Sequence, residues 1–275
     1  MTAQNAAVQA AIAAAAAQTD MTKATKGGGG SYTPPAEGLA RLRFVGYIEC
    51  GKVFDEKYNK TKEKVKLIFE LSGPKHAPKK LDDGTELPHR ITITESLSLN
   101  EKANFYKIFK AMNYAGEATH IAQLLGQEFL GTVVHRKYKD RVFANLRDDS
   151  GYTIRAPFVE DPETGETRKV PAGPQISETR CFLWDYASKE MWDSIFIEGE
   201  YEEEKNEAGE VIRAARSKNV FQEEIRAAIN FAGSPIAEIL EGEDLAIDEP
   251  ELAQPAEDES TGTQSEEEDP LAGIS

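Results

Sequence analysis

Two cysteines, four histidines and two tryptophans are all that 275 residues hold of these three types. Cys50 and Cys181 fall into no pairing pattern. That argues against a disulfide framework or a cysteine zinc site, and fits a reducing, cytosolic compartment. His76, His89, His120 and His135 show no HExxH spacing, and neither GxSxG nor GxxxxGK[ST] occurs;. Asp82-Asp83 and Asp148-Asp149 are the only paired aspartates, and each stands beside Gly or Ser as loop punctuation;. No catalytic residue, metal or cofactor is therefore expected. An uninterrupted run of about 18 strongly apolar residues is also missing, so no membrane span is expected.

Large apolar residues are scarce at both ends. Residues 1–38 contain AAVQAAIAAAAAQ, Gly27–Gly30 and Pro34-Pro35, too little apolar surface to offset the entropy of ordering;. They read as a flexible arm, and MTAQN puts no basic residue ahead of the alanines as a signal peptide would;. Residues 241–275 carry thirteen Asp or Glu and no Lys, Arg or His, the composition of a disordered acidic tail;. Between them, 39–160 reads as one core domain and 161–240 as an extension packed on it.

The formal net charge of −16 is unevenly distributed. Residues 39–160 hold 21 Lys and Arg against 16 Asp and Glu, whereas 161–240 hold 9 against 17. A mildly basic module thus precedes an acidic second half and an acidic tail that could compete for the basic surface.

Strands are legible by alternation. In RLRFVGYIEC (41–50), Leu42, Phe44, Ile48 and Cys50 share one face, and Arg41, Arg43, Val45, Tyr47 and Glu49 the other; Gly46 between them marks a bulge or bend;. KVKLIFEL (64–71) sets Val65, Leu67, Phe69 and Leu71 inward, and HRITITES (89–96) sets Ile91 and Ile93 inward. Ser98 and Glu101 read as a capping box, followed by a helical stripe of Phe105, Ile108, Phe109 and Met112;. LGTVVHR and RVFANLR (130–136 and 141–147) then form a hairpin. Beyond it come two further hairpins (VEDPETGETRKV and EGEYEEEKNEAGEVIRA), an apolar cluster around LWDYASKEMWDSIFIEG, and a last helix capped by Asn219 and Gln222.

Three strands, a helix and two strands follow the order of the oligonucleotide/oligosaccharide-binding barrel, a five-stranded Greek key. The expected class is mainly β with helices, an OB-fold-like barrel plus an extension. That fold binds its ligand across strands two and three, between the loops joining strands 1–2 and 4–5. Here those loops, 51–64 and 136–141, are dense in lysine and aromatics. Cations supply contacts for phosphates and rings supply faces for bases. The expected cationic groove is Arg41, Arg43, Lys52, Lys57, Lys60, Lys62, Lys64, Lys66, Arg90, Arg136, Lys137, Lys139 and Arg141. Tyr47, Tyr58 and Tyr138 are candidate stacking platforms; Phe54 and Phe143 are candidates too, but are read first as core.

A basic barrel followed by an acidic C-terminal tail resembles the single-stranded-DNA-binding proteins of tailed bacteriophages. So do GTVVHRKYKDRVFANL and SKNVFQEEIRAAINFAGSPIAEIL. The resemblance implies sequence-independent binding of single-stranded DNA in phage replication and recombination, in the cytoplasm of an infected host. It further implies a tail that competes with DNA and recruits replication proteins such as polymerase or helicase/primase, and a homo-oligomer as one possible state. The ending EEEDPLAGIS departs from the family pattern, which finishes in acids and a terminal aromatic. The rival class is a virion or assembly protein using a non-enzymatic module of the same fold, since fold alone does not assign function. A nuclease built from scattered carboxylates is the third.

Overall fold

Strand β1 (Gly38–Asp55) is 18 residues long and pairs with neighbours on both of its edges. The computed structural model describes residues 33–139, 141–205 and 211–247. Most of the N-terminal arm and all of the tail after Ile247 lie outside the described residues. On one edge β1 pairs antiparallel with β2 (Lys60–Ser72), which pairs in turn with β3 (His89–Ser96). On the other edge, β4 (Glu128–Tyr138) covers Gly38 to Arg43 antiparallel. Further along, β6 (Arg180–Phe182) covers Gly46 to Ile48 in parallel. A fifth strand, β5 (Arg141–Asn145), continues from β4, so the order across the sheet is β3-β2-β1-β4-β5. The protein is mainly β. Helix α1 (Asn104–Met112) lies in sequence between β3 and β4. Helices α2 (Lys189–Ser194), α3 (Val220–Arg226) and α4 (Pro235–Ile247) belong to the C-terminal third. Among the described residues no helix is long and apolar enough to cross a membrane.

The middle of β1 and of β2 is buried on both faces, and a bulge in β1 divides its residues between two cores. Phe44 pairs with Phe69 and Gly46 with Ile68, leaving Val45 as an extra residue. Because side chains alternate with period two, one inserted residue exchanges the faces of everything after it. Ala40, Leu42, Phe44 and then Tyr47 enter the inner core with Val65, Leu67, Phe69, Leu71, Ile91 and Ile93, under Phe105, Ile108 and Met112 of α1. Val45, Ile48 and Cys50 instead face outward with Ile68. Over them Phe182, Trp184, Trp192, Ile195, Phe221, Ile225 and Ile236 form a second core. The expected grouping of Ile48 and Cys50 with Leu42 and Phe44 is corrected on this point.

Gly51 lies at a second register shift, at φ 77°, and an added Cβ would sit 2.3 Å from the Trp184 ring. Both the left-handed backbone and the close approach of Trp184 require glycine there. The extension is thus keyed to β1 by a backbone surface as well as by apolar packing.

Two further expectations are corrected. Ser98 caps no helix: its Oγ accepts from Asn100 N–H at 3.4 Å, and α1 starts at Asn104 with Ala103 at its N-cap. A reciprocal capping box forms instead between His120 and Gln123, at the 3-10 turn Ile121–Leu124. The assigned tail also starts too early. Helix α4 runs through Glu241 to Ile247, and buries Ile236 and Ala237 near its start. Both hairpin segments expected after residue 158 pair, Phe158–Glu160 with Thr167–Lys169 and Glu204–Lys205 with Val211–Arg213, the expected turn at Ala208-Gly209 lying outside the described residues.

Candidate nucleic-acid interface

The β1–β2 and β4–β5 hairpins project beyond opposite ends of the region where β1 and β4 pair. Val133 of β4 is opposite Gly38 at the start of β1, and β4 runs five residues further to Tyr138. The β1–β2 hairpin closes at the other end of β1, where Asp55 pairs with Lys60. Left-handed turn residues tighten both tips, Asn59 at φ 48° and Lys139 at φ 53°. The two loops expected from sequence are therefore paired ribbons for most of their length, and rigid ribbons hold side chains in fixed registers.

Register decides what the second tip presents. Arg136 lies opposite Phe143, and Tyr138 opposite Arg141. Directly paired residues of an antiparallel ladder share a face, so two rings and two guanidinium groups stand together. The opposite face turns Val133 and Leu146 into the inner core. Tyr138 is 67 % exposed, with the Lys139 ammonium 5.6 Å from its ring centroid. The first tip repeats the device: Tyr58 is 63 % exposed, and the Lys57 ammonium lies 5.3 Å from its ring. Phe54 and Phe143, expected in the core, are both solvent-exposed. Alternation had already placed Phe143 on the face opposite Val142, Ala144 and Leu146, and Leu146 is the residue that goes inside.

Several groove candidates are engaged elsewhere. Tyr47 is fully buried, its hydroxyl donating to Glu49 at 2.9 Å, so it offers no platform; the β1 bulge put it inside. Burial, then the nearby Glu49 carboxylate, pushes that hydroxyl's pKa up and keeps it a donor. Arg43 donates to the Gly126 carbonyl at 2.8 Å, the Gly173 carbonyl at 2.9 Å and Glu128 at 3.0 Å, and serves as a structural tie. Lys64 and Lys66 both grip the Glu224 carboxylate of α3, Lys66 at 2.8 Å. Arg43, Lys64 and Lys66 thus leave the expected cationic groove, and Tyr47 leaves the expected platforms. Arg41 is half-buried beside Gly73. Lys62 pairs with Asp55, whose carboxyl it holds below the usual range, and Lys52 lies 3.9 Å from Glu63. Lys57, Lys60, Arg90, Lys137, Lys139 and Arg141 remain solvent-exposed. Arg136 is exposed as well, with Asp149 at 3.7 Å.

The Glu224 clamp reports where the extension sits: on the outer face of β1 and β2. Glu70 of β2 is likewise buried there, accepting from Ile176 N–H at 3.0 Å and Ser177 N–H at 2.6 Å. The outer face of β3, with Arg90, Thr92 and Thr94, stays open. Burial alone would raise the Glu224 pKa, but hydrogen bonds and charge from Lys64 and Lys66 outweigh it and hold the carboxyl below its ordinary value. A depressed carboxyl contributes stability above its unfolded pKa, and that contribution is lost as pH falls through the folded value. Glu224→Gln is therefore expected to cost about 1–3 kcal/mol at neutral pH. It should also flatten the acid limb of stability as pH falls below the ordinary carboxylate range, as read from urea midpoints;.

The paired aspartates act as turn formers. Asp83 Oδ1 accepts from Thr85 N–H at 2.8 Å, and Asp148 Oδ1 from Ser150 N–H at 2.8 Å. Among the described residues no group of three or more His, Cys, Asp or Glu is placed to hold a metal. The Cys50 thiol is pushed up to about 12, first by burial and then by Glu224, and stays protonated. In comparisons with known proteins, no family model, no curated protein and no solved structure matches the chain.

Proposed function

We propose that this protein binds single-stranded DNA without sequence preference, on a barrel of the oligonucleotide/oligosaccharide-binding type. The strand order β3-β2-β1-β4-β5, with α1 between β3 and β4 in sequence, supports that fold reading;. The observation carrying the functional reading is the repeated tip: an exposed tyrosine with a lysine beside its ring, on each of the two hairpins that flank the ligand face in such barrels. Lysine meets the phosphate while the ring meets the base, a pairing that tolerates any sequence.

The strand runs between the tips past the open face of β3, contacting Lys57, Tyr58 and Lys60 at one end and Arg136 to Arg141 at the other, with Arg90 between. The covered outer face of β2 takes no part, so Lys64 and Lys66 contribute structure alone. The likeness of the 131–146 hairpin to those of tailed-phage proteins supports a role in phage replication and recombination within the host cell.

The acidic tail competes for the same cations. Residues 248–275 hold ten acids and no base, and they follow α4 directly. Truncation after Ile247 leaves α4 whole and is expected to tighten binding of a labelled dT oligomer by about tenfold at low salt. The gain should shrink as salt screens the tail. Equal or weaker binding by the truncated chain would remove the tail from the mechanism.

A further inference from the structure

Beside the first hairpin, where β1 and β2 leave the sheet and meet the extension, lies a cleft of about 540 Å³. That is within the roughly 300–1,000 Å³ of small-ligand sites. Its walls include Lys52, His120, Trp184, Asp185, Tyr186 and Asn230. We infer that this cleft receives one unstacked base of the bound strand, with Tyr186 as its stacking ring; the inference rests on the single-stranded-DNA reading above.

The cleft is built from fixed parts. Trp184 N–H donates to the Glu49 carboxylate at 2.7 Å, and its ring lies against the bare backbone of Gly51, which pins the turn Trp184–Tyr186 to β1. From that pinned turn Tyr186 projects into solvent, 78 % exposed. No folding requirement accounts for a large ring held this way. On the far side, Asn230 Oδ1 accepts from Lys52 N–H at 2.7 Å, and Ile229 N–H donates to the Lys52 carbonyl at 2.9 Å. This bracket spends the amide oxygen of Asn230 and leaves its NH₂ group as a donor. His120 Nδ1 accepts from Ala122 N–H at 3.3 Å, which puts the ring proton of the neutral imidazole on Nε2;. Asp185 adds an exposed acceptor.

A ring, two kinds of N–H donor and a carboxylate acceptor suit a flat heteroaromatic with both donors and acceptors on its edge. The charges exclude a free phosphate. Glu49, Glu63 and Asp185 outnumber Lys52 and Lys64 around the cleft, and Lys64 is already held by Glu224. A neutral base can enter while its phosphate stays outside near Lys52 and Lys57. The strand leaving Tyr58 would then turn inward, giving this end of the interface a base held in a cleft besides the stacking ring that each tip presents.

The test compares full-length wild type, Tyr186→Ala, Tyr186→Leu and Tyr186→Trp by anisotropy with a labelled dT oligomer of about 30 nucleotides. Loss of a stacked base is expected to weaken binding by about tenfold in the Ala and Leu variants, with Trp restoring it and the salt slope unchanged. Melting temperatures should match, since so exposed a ring carries no packing. Wild-type affinity in both the Ala and Leu variants would overturn the cleft inference and leave the DNA reading standing. Absence of binding by wild type would overturn the DNA reading and this inference with it.

Discussion

Alanine at both Tyr58 and Tyr138 is expected to lower affinity for single-stranded DNA by at least thirtyfold while leaving the melting temperature within about 2 °C. Each ring is worth about 1–3 kcal/mol per stacked base, and tenfold in affinity corresponds to about 1.4 kcal/mol. The two rings sit on separate hairpins and share no partner, so their effects should add. Stability is spared because both rings are more than 60 % exposed. Titration of the double and both single variants against dT oligomers, beside thermal melts, checks this. A double variant that binds like wild type would leave the tips as solvated turns.

Trp192→Ala is expected to have the largest effect on folding, about 3–5 kcal/mol. Trp192 is 3 % exposed in the second core, packed edge-on to Phe182 at 6.0 Å, with the Arg226 guanidinium 5.3 Å from its ring. Its backbone carbonyl also accepts from the buried Gln222 side chain at 2.7 Å. Val45, Ile48, Cys50 and Ile68 of the sheet complete the same core, so damage to the extension is felt by β1 and β2. The melting temperature should fall by about 10 °C, and the transition should stay single. Two separate transitions, with the β1–β5 sheet and α1 melting at their original temperature, would show that the extension is an independent unit.

What alternation alone could carry was legible in the sequence. Val65, Leu67, Phe69 and Leu71 went inside as spaced, as did Ile91 and Ile93, and the helical stripe from Phe105 to Met112 closed the same core. Tyr47 was misplaced because Gly46 announces a bulge without giving its consequence, a one-residue slip that exchanges faces. Lys64 and Lys66 read as groove cations because their partner, Glu224, lies some 160 positions away; no local pattern encodes so distant an ion pair. Phe54 and Phe143 read as core on composition, since an exposed phenylalanine is unfavourable unless something stacks on it. Tyr186 gave no local sign at all. Its position depends on Trp184 meeting the backbone of Gly51, two segments that only the fold brings together.

The most direct test is anisotropy of a labelled dT oligomer of about 30 nucleotides, titrated with the full chain across a salt series. Saturable binding is expected, with affinity falling with salt along a log–log slope of about −5. That slope corresponds to about seven phosphates, each contributing about −0.7, met by Lys57, Lys60, Arg136, Lys137, Lys139 and Arg141 of the two tips and by Arg90;. Mixed-sequence oligomers of the same length should bind with similar affinity. No binding at low salt by a chain shown to be folded by circular dichroism would contradict the account, and would favour an assembly protein.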